Sequence, residues 1–286
     1  MGFLGVVFDG IAYGSLLFLI SVGLSVTLGL MNVVNLAHGA FAMFGGYSSV
    51  WLASAWGVPF LGTLPLVFLA GAAVGALAER CLYQRLYRAS HLDQVLFTIG
   101  LTFMAVATAT FFWGPGQQRV ELPAFLRGQV RVLGLDLGAY RAFLVVLVVL
   151  ISLALTALIE RTRYGAQLRA SVDNQQVSAG LGIPVQRVFC ITFALGSGLA
   201  ALGGALGVEL LGLEPSFALE YLVYFLLVVC VGGAGSVTGT ALAALVLGLF
   251  DVAGKYYVPE LGGFIIYALM IVLLMLFPTG LRGRRV

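Results

Sequence analysis

Charged residues are scarce in this sequence, and their scarcity sets the class of the protein. Only 9% of its 286 residues are Asp, Glu, Lys or Arg, whereas 61% are hydrophobic. A soluble domain carries about 25% charged residues, so most of the surface of this chain must face lipid. No Asp, Glu, Lys or Arg lies between Asp9 and Glu79, a run that holds about three helices at ~20 apolar residues per crossing. Further uncharged runs cover residues 94–118, 142–159, 188–208, 221–250 and 261–281.

The uncharged runs predict an all-α, polytopic integral membrane protein. Lipid offers the backbone no hydrogen-bond partner, so each run must satisfy its own amide and carbonyl groups as a helix. We expect about eight to nine transmembrane or re-entrant helices in a single domain over residues 1–286, the run at 221–250 being long enough to fold back on itself. The first residues include no Lys or Arg, whereas a cleaved signal peptide has a basic start, so we expect the first helix to be retained.

Motifs for energy coupling and for catalysis are missing as well. The sequence has no Gly-x-x-x-x-Gly-Lys-Ser/Thr loop to hold phosphates, and Lys255 is its only lysine. We therefore expect no enzyme activity, and any ATP must be hydrolysed by a partner. The three cysteines, Cys81, Cys190 and Cys230, show neither disulfide nor metal spacing. A net charge of +3 is too small to indicate nucleic-acid binding, and no metal or cofactor site is predicted.

The carboxylates argue against a carrier that is driven by protons or sodium. Such carriers usually hold several carboxylates in the middle of the membrane, whereas the candidates here all fall near the ends of predicted helices. They are Asp9, Glu209, Glu214, Glu220, Asp251 and Glu260. Glu209 is either a solvated helix-end residue or lies slightly inside the membrane.

The distribution of basic residues predicts the orientation in the membrane. These residues form groups at 80–88, 119–141, 161–187 and 282–285, and Lys255 stands alone. Single helices separate the first three groups, which must therefore alternate sides. Placing the first, third and C-terminal groups in the cytoplasm leaves ten basic residues inside and five outside, as the positive-inside rule favours. The N-terminus is then outside and the C-terminus cytoplasmic.

A polar segment at residues 30–39 is the first candidate for a substrate path. Asn32, Asn35 and His38 are spaced three apart, so in a helix they share one face. Polar side chains on one stripe inside lipid are costly unless they face a cavity or a partner helix. Gly29 and Gly39 bracket the segment and would let it unwind, exposing backbone groups to a ligand. The alternative interpretation is that the three polar side chains staple neighbouring helices by hydrogen bonds.

A glycine cluster is the second candidate for the path. It consists of Gly232, Gly233, Gly235 and Ser236, with Gly239 following. Glycine costs a helix about 1 kcal/mol relative to alanine, so the cluster predicts a break or re-entrant turn that acts as a hinge or lines a pore. Close helix packing between small residues is the alternative. Packing is also what we expect for the stripe at Gly196, Ala200, Gly203, Gly204 and Gly207.

A polar island at residues 160–187 interrupts the apolar chain. Its distinctive residues are Gly165, Arg169, Ala170, Asp173, Asn174 and Gly182. Arg169 and Asp173 are four apart, so a short helix would let them pair. Gly182-Ile183-Pro184 would end the island, because proline disfavours helix at the preceding residue. The island is longer than most helix connections, which favours a docking surface for another protein over an ordinary solvated loop.

Four motifs in order give the chain a family resemblance. They are Asn32-Val-Val-Asn35-Leu-Ala-His38-Gly39, the island from Gly165 to Ile183, Gly232-Gly233-Ala234-Gly235-Ser236 and Phe277-Pro278-Thr279-Gly280-Leu281. Together they resemble the LivH-type permeases of bacterial branched-chain amino acid ABC importers, and the resemblance covers nearly the whole chain.

The resemblance implies a multi-pass subunit of the bacterial inner membrane, whose N-terminus would be periplasmic in the orientation given above. The implied partners are a second, related permease, two cytoplasmic ABC ATPase subunits and a periplasmic substrate-binding protein. The 160–187 island would be the coupling loop seated on an ATPase, and the residues from Asn32 to Gly39 would line or shape the passage. Wider relatives carry urea, short amides or other hydrophobic amino acids, so a permease for urea or short amides is the alternative.

Other classes have less support from the residues. A ribose-type sugar permease would use aromatic side chains and carboxylates along its path, and these are not evident. An intramembrane protease would have to use Ser197, between Gly196 and Gly198, with His38 or His91, although His91 falls on a predicted cytoplasmic loop. An autonomous channel or carrier would differ from an ABC permease by moving solute without ATPase subunits.

Overall fold

The structure is a computed structural model that describes residues 2–31, 35–87, 89–132, 135–277 and 280–281, and most of these residues are helical. Its helices are α1 (Phe3–Met31), α2 (His38–Trp56), α3 (Phe60–Ala78), α4 (Gln84–Leu86), α5 (His91–Trp113), α6 (Ala139–Arg161), α7 (Arg163–Asp173), α8 (Gln175–Gly180), α9 (Val185–Leu211), α10 (Phe217–Glu220), α11 (Leu222–Gly232), α12 (Val237–Tyr257) and α13 (Gly262–Leu276). A π-helical turn at Glu79–Tyr83 joins α3 to α4, and 3₁₀ turns lie at Ala124–Leu126 and Pro259–Leu261.

Seven helical stretches of the described residues are long and apolar enough to cross a membrane. They are Phe3–Gly29, Phe60–Leu86, His91–Trp113, Ala139–Arg161, Val185–Leu211, Val237–Tyr257 and Pro259–Leu276. Two further elements complete the bundle: α2, whose 19 residues include His38 and Tyr47, and the shorter apolar stretch Phe217–Gly232. The prediction of an all-α, polytopic membrane protein with about eight to nine helices is confirmed.

The helix α9 lies at the centre of the bundle. α1, α2 and α3 pack around it, and α12 packs along α1. Every residue of α9 from Gly196 to Val208 is buried, and glycines bring its backbone against its neighbours. A Cβ on Gly204 would lie 1.8 Å from the carbonyl oxygen of Ala42, and one on Gly45 would lie 2.0 Å from that of Ala201. The packing predicted for the small-residue stripe of α9 is therefore confirmed.

The connection between α5 and α6 contains a short pair of antiparallel strands. β1 (Gln129–Val132) runs against β2 (Leu135–Gly138), with Gln129 opposite Gly138. Earlier in the same connection, the backbone N–H of Gln118 donates to the carbonyl of Leu213 at 2.7 Å. This bond ties the connection to the segment that follows α9. The pattern of uncharged runs does not predict these strands.

Polar residues collect at the two ends of the bundle. Asp9 of α1 and Lys255 of α12 line a cavity at what we term the first end. Met31, at the other end of α1, lines a second cavity together with Gln175 of α8, and this is the second end. α1 and α9 each run from one end to the other, so the residues around Asp9 and the polar island lie at opposite ends.

Candidate translocation path and coupling surface

The polar segment between α1 and α2 is not helical where the structure describes it. Asn32 lies outside the described residues, Asn35 precedes the first turn of α2, and His38 begins that helix. Asn35 and His38 therefore do not share one helical face, and that prediction is wrong. The segment unwinds before Gly39, as the flanking glycines led us to expect, although the described break covers only the residues from Asn35 to Ala37.

Asn35 and His38 are buried and hydrogen-bonded within the bundle. The Asn35 Oδ1 accepts hydrogen bonds from the Tyr83 hydroxyl at 2.8 Å and from the backbone N–H of Ala37 at 3.0 Å. The His38 Nε2 lies 2.8 Å from the carbonyl oxygen of Ile20. Ile20 is 11 residues before Met31, about 16 Å along α1. The start of α2 is thus held well inside the bundle.

Side chains of α5 hold the same segment. The backbone N–H of Leu36 donates to the Thr98 Oγ1, and the Leu36 carbonyl accepts from the Thr102 Oγ1, each at 3.2 Å. A helix break that lies among apolar helices needs such partners, because buried backbone groups without them are costly. These contacts match the staple interpretation of Asn35 and His38.

Replacing His38 by alanine tests the staple interpretation directly. We expect the yield of folded permease and the uptake of solute to fall in the same proportion, because the variant loses the contact with Ile20 and leaves a cavity whose cost is on the order of 2 kcal/mol. The matched control is His38→Gln, whose amide N–H can still donate to the Ile20 carbonyl and should recover part of both losses. Fluorescence-detected size-exclusion gives the folded yield, and uptake is normalised to it. A loss of normalised uptake in His38→Ala would instead assign His38 to the path.

The glycine cluster forms the predicted break, between α11 and α12. Gly233 and Gly235 have φ values of 90° and 83°, which favour glycine over residues with a side chain. Ser236 caps α12, its Oγ accepting from the backbone N–H of Gly239 at 3.0 Å. The backbone N–H of Gly235 donates to the carbonyl of Ser25 in α1 at 2.9 Å. The break is therefore fixed in place against α1 rather than left free in lipid.

Two of the sequence motifs meet at this turn, together with the end of α1. A Cβ on Gly29 would lie 1.9 Å from the backbone nitrogen of Gly235, so the end of α1 touches the turn. A Cβ on Gly280 would lie 2.6 Å from the backbone nitrogen of Gly233, and the N–H of Leu281 donates to the carbonyl of Val231 at 2.8 Å. Residues far apart in the sequence thus form one small, glycine-rich joint.

The polar island folds into the two short helices α7 and α8. Thr162 caps α7 by accepting from the N–H of Gly165 at 3.2 Å. A Cβ on Gly165 would lie 1.9 Å from the carbonyl oxygen of Ile159, so only glycine fits at this corner. Arg169 donates to the same carbonyl. The pairing of Arg169 with Asp173 stays a prediction.

Tyr164 and Asn174 anchor the island further. The Tyr164 hydroxyl lies 2.7 Å from the Thr192 Oγ1 of α9, and burial raises the pKa of this phenol, which keeps it protonated. The Asn174 Oδ1 accepts from the N–H of Val177 and caps α8 at 3.0 Å. Gly182, with φ of 85°, and Pro184 then direct the chain into α9, as predicted.

The six predicted coupling residues divide between the interior and the surface of the island. Gly165 is buried and Arg169 and Ala170 are half-buried, so these three hold the island together. Asp173, Asn174 and Gly182 are exposed. Sequence reasoning missed the two large hydrophobic side chains that are exposed on the island, Val177 at 56% and Leu181 at 77% exposure. Their only signal was that they are apolar residues in a polar segment.

A buried carboxylate next to the island was also missed. Glu79 lies in the π-helical turn after α3 and is fully buried. It accepts hydrogen bonds from the Tyr87 hydroxyl at 2.6 Å and from the Gln84 Nε2 at 3.1 Å. Burial and the Glu79 carboxylate raise the pKa of the Tyr87 hydroxyl, so it remains a donor. Turns of this kind are frequent at functional sites.

A cavity of about 660 Å³ opens at the second end, between this turn and the island. Much of its lining is polar and includes Gln84, Arg85, His91, Gln94, Gln175 and Gln186. Gln94 is tied to the backbone, its Nε2 lying 3.1 Å from the Leu86 carbonyl. The cavity is a polar cleft between the island and the start of α5.

The carboxylates at the first end differ in a way that the sequence did not reveal. Glu209 is exposed near the end of α9, so it is a helix-end residue in contact with the surroundings of the protein. Asp251 is also near the end of its helix, but it is only 1% exposed and pairs with Lys255 at 2.7 Å. The predicted position of Asp251 near a helix end is confirmed, but its burial was not predicted.

Comparisons with known proteins cover nearly the whole chain. A family model described as "Branched-chain amino acid transport system / permease component" matches residues 6–274. The chain is 28% identical to the high-affinity branched-chain amino acid transport system permease protein LivH of Escherichia coli K12, over 99% of this chain and 96% of that protein. It is 25% identical to BraD of Pseudomonas aeruginosa, described in the same words, over 96% and 94% of the two chains. No solved structure matches it.

One further similarity covers part of the chain. The autoinducer 2 import system permease protein LsrC of Salmonella paratyphi B is 30% identical over 49% of this chain and 41% of that protein. About half of this chain is therefore similar to part of a permease that is named for a different solute.

Proposed function

Because the chain belongs to the family of branched-chain amino acid transport system permease components, we propose that it is the membrane subunit of an ATP-driven importer for branched-chain amino acids. The observation that carries this proposal is the match over almost the full length to proteins named for that substrate class. The same relatives favour branched-chain or related hydrophobic amino acids over the alternative of urea or short amides.

ATP hydrolysis belongs to partners in this proposal. The sequence holds no phosphate-binding loop, so two cytoplasmic ABC ATPase subunits supply the energy. A second, related permease completes the translocation path, and a periplasmic binding protein delivers the substrate. The island at 160–187 is the coupling loop, and its exposed Val177 and Leu181 give an ATPase an apolar contact.

The orientation is part of the proposal. The island lies in the cytoplasm of the bacterial cell, together with the C-terminus, and the N-terminus lies in the periplasm. The count of ten basic residues inside against five outside supports it. The separation of Asp9 and the island at opposite ends of the bundle is compatible with it.

The path is formed around the two helix breaks. At the start of α2, Gly39 and Asn32 belong to the segment that shapes it, and Asn35 and His38 hold the break in place by hydrogen bonds. Gly232, Gly233, Gly235 and Ser236 shape it between α11 and α12. Both breaks are supported from inside the bundle by hydrogen bonds, so they act as fixed joints around which helices are arranged, rather than as loops that close over the solute.

Reconstitution of the chain with its permease, ATPase and binding-protein partners in vesicles tests the proposal. We expect leucine, isoleucine and valine to enter the vesicles only when ATP and the loaded binding protein are present, and we expect urea to remain outside. Omission of the ATPase subunits is the control. Uptake without those subunits would assign the chain to autonomous carriers, and uptake of urea alone would establish the alternative substrate.

A further inference from the structure

A cavity of about 310 Å³ opens at the first end of the bundle. This volume lies at the lower limit of known small-molecule sites. Residues from α1, α6, α9, α10, α11 and α12 contribute to its lining, so it belongs to this chain alone and needs no partner to exist. Its ionisable side chains are Asp9, Arg141, Glu220, Asp251 and Lys255, and its aromatic ones are Tyr13, Tyr221 and Tyr224.

Asp251, which lines this cavity, has a hydrogen-bond acceptor without a partner in the part of the chain that the structure describes. Its Oδ2 binds the Lys255 Nζ at 2.7 Å, but its Oδ1 is buried and has no hydrogen-bond partner among the described residues. The residue lies six positions before the end of α12, about 9 Å below it. A buried carboxylate oxygen is costly without a donor, and ionisable groups at such depth in membrane proteins commonly mark substrate sites. The site calls for one more hydrogen-bond donor.

The surroundings of Asp251 suit an ammonium group. The Lys255 Nζ lies 5.7 Å from the centre of the Tyr13 ring and 5.9 Å from that of Tyr224, within the range of cation–π attraction. The cavity therefore already surrounds one ammonium group with aromatic faces. Counting its ionisable side chains, three are acidic and two are basic, which leaves a formal charge of −1 to attract another cation.

Arg141 gives the cavity a group for a carboxylate. It pairs with Asp9, yet a guanidinium has five N–H donors in a planar fork, and one carboxylate does not use them all. A ligand with an ammonium at one end and a carboxylate at the other would meet Asp251 and Arg141 in one cavity. The short chain between these two groups in an α-amino acid suits so small a volume.

We propose that this cavity binds an α-amino acid as its zwitterion, with the ammonium group at the Asp251 carboxylate and the carboxylate on Arg141. The identity of the amino acid rests on the proposed function, which makes it a branched-chain one. The site is a receiving site within the permease itself, at the end of the bundle where the binding protein would release its substrate.

Equilibrium binding to the purified chain in lipid nanodiscs tests this site without the other subunits. The probes are leucine, isoamylamine (which lacks the carboxylate) and 4-methylpentanoate (which lacks the ammonium). We expect leucine to bind and each analogue to bind about tenfold more weakly, as for the loss of one charge-assisted contact. Asp251→Asn should weaken leucine binding about tenfold and leave 4-methylpentanoate unchanged. Glu260→Gln is the matched control, because Glu260 is exposed and does not line this cavity.

Lys255 gives a second measurement that needs no variant. It is the only lysine of the chain, so the modification of its amine by an acylating reagent, followed by mass spectrometry, reports on this cavity alone. We expect saturating leucine to slow the modification and 4-methylpentanoate to have little effect.

Two results would overturn the site: no leucine binding to the unmodified chain, or equal leucine affinity in Asp251→Asn and Glu260→Gln. Neither result would contradict the proposed function, which is tested by ATP-driven uptake in the reconstituted importer. Conversely, leucine binding by the chain without ATP-driven uptake in the reconstituted complex would support the binding site and contradict the proposed function.

Discussion

Replacing Leu181 by aspartate is expected to abolish ATP-driven uptake while the permease still inserts and folds. Leu181 is 77% exposed at the end of α8, and Val177, four residues earlier, is 56% exposed. An exposed side chain contributes little to the fold, so we expect a change in stability within about 0.5 kcal/mol. An ATPase surface that accepts an apolar side chain would instead have to bury an unpaired carboxylate, at a cost of several kcal/mol. That cost corresponds to a loss of a hundredfold or more in affinity.

Two control variants separate coupling from other effects of the added charge. Leu181→Met keeps an apolar side chain of similar size and should couple normally. Leu92→Asp makes the same change at another exposed leucine (66%), in the first turn of α5 and outside the island, and should retain uptake. The measurements are co-purification of the ATPase subunits and uptake per folded permease. Normal co-purification and normal uptake in Leu181→Asp would show that the ATPase does not dock on the end of α8.

The membrane helices and their breaks were predictable because they follow from local physics. Lipid excludes charge, so the run without charged residues after Asp9 had to contain membrane helices, and the structure places α1, α2 and α3 there. Glycine and proline limit helices wherever they occur, so the breaks at Gly233 and Pro184 could be read from the sequence alone. These features depend on residues within one or two turns.

The contacts that define the candidate sites were not predictable, because they join distant parts of the chain. Asn35 receives its hydrogen bond from Tyr83, 48 residues away, and no spacing rule links the two. Glu209 and Asp251 both lie near helix ends in the sequence, yet the first is exposed and the second is buried. The difference arises because Asp251 faces other helices of the bundle, and a sequence contains no direct record of which face that is.

The polar island shows a second reason why the candidate sites could not be predicted from the sequence. Gly165 and Arg169 stand out in the sequence as residues of a docking surface, and in the structure both pack against the end of α6. Unusual residues can mark internal constraints as readily as binding sites. The surface left for a partner is formed by residues such as Leu181, which have no distinctive pattern. Only the structure of the folded island distinguishes the residues that hold it together from the residues that are exposed to a partner.

Replacing Gly204 by alanine, which adds a single methyl group, is expected to remove most of the yield of folded protein. The Cβ of Gly204→Ala would lie 1.8 Å from the carbonyl oxygen of Ala42, a backbone atom that no rotamer change can move. α2 and α9 would have to separate along their contact, in a bundle whose centre is close-packed. Overpacking costs about 1–3 kcal/mol when side chains can adjust, and we expect a value at or above the upper limit here.

Gly100→Ala is the matched control, because it adds the same methyl group in a membrane helix of the same chain. A Cβ on Gly100 in α5 would meet nothing within 4 Å, so the variant should be neutral or gain up to about 1 kcal/mol from helix propensity. Thermal unfolding and folded yield in detergent give the comparison. Equal melting temperatures for the two variants would contradict a backbone contact between α2 and α9. The rigidity of this contact has a functional consequence, because it fixes the start of α2, and with it the break at Asn35, relative to the central helix.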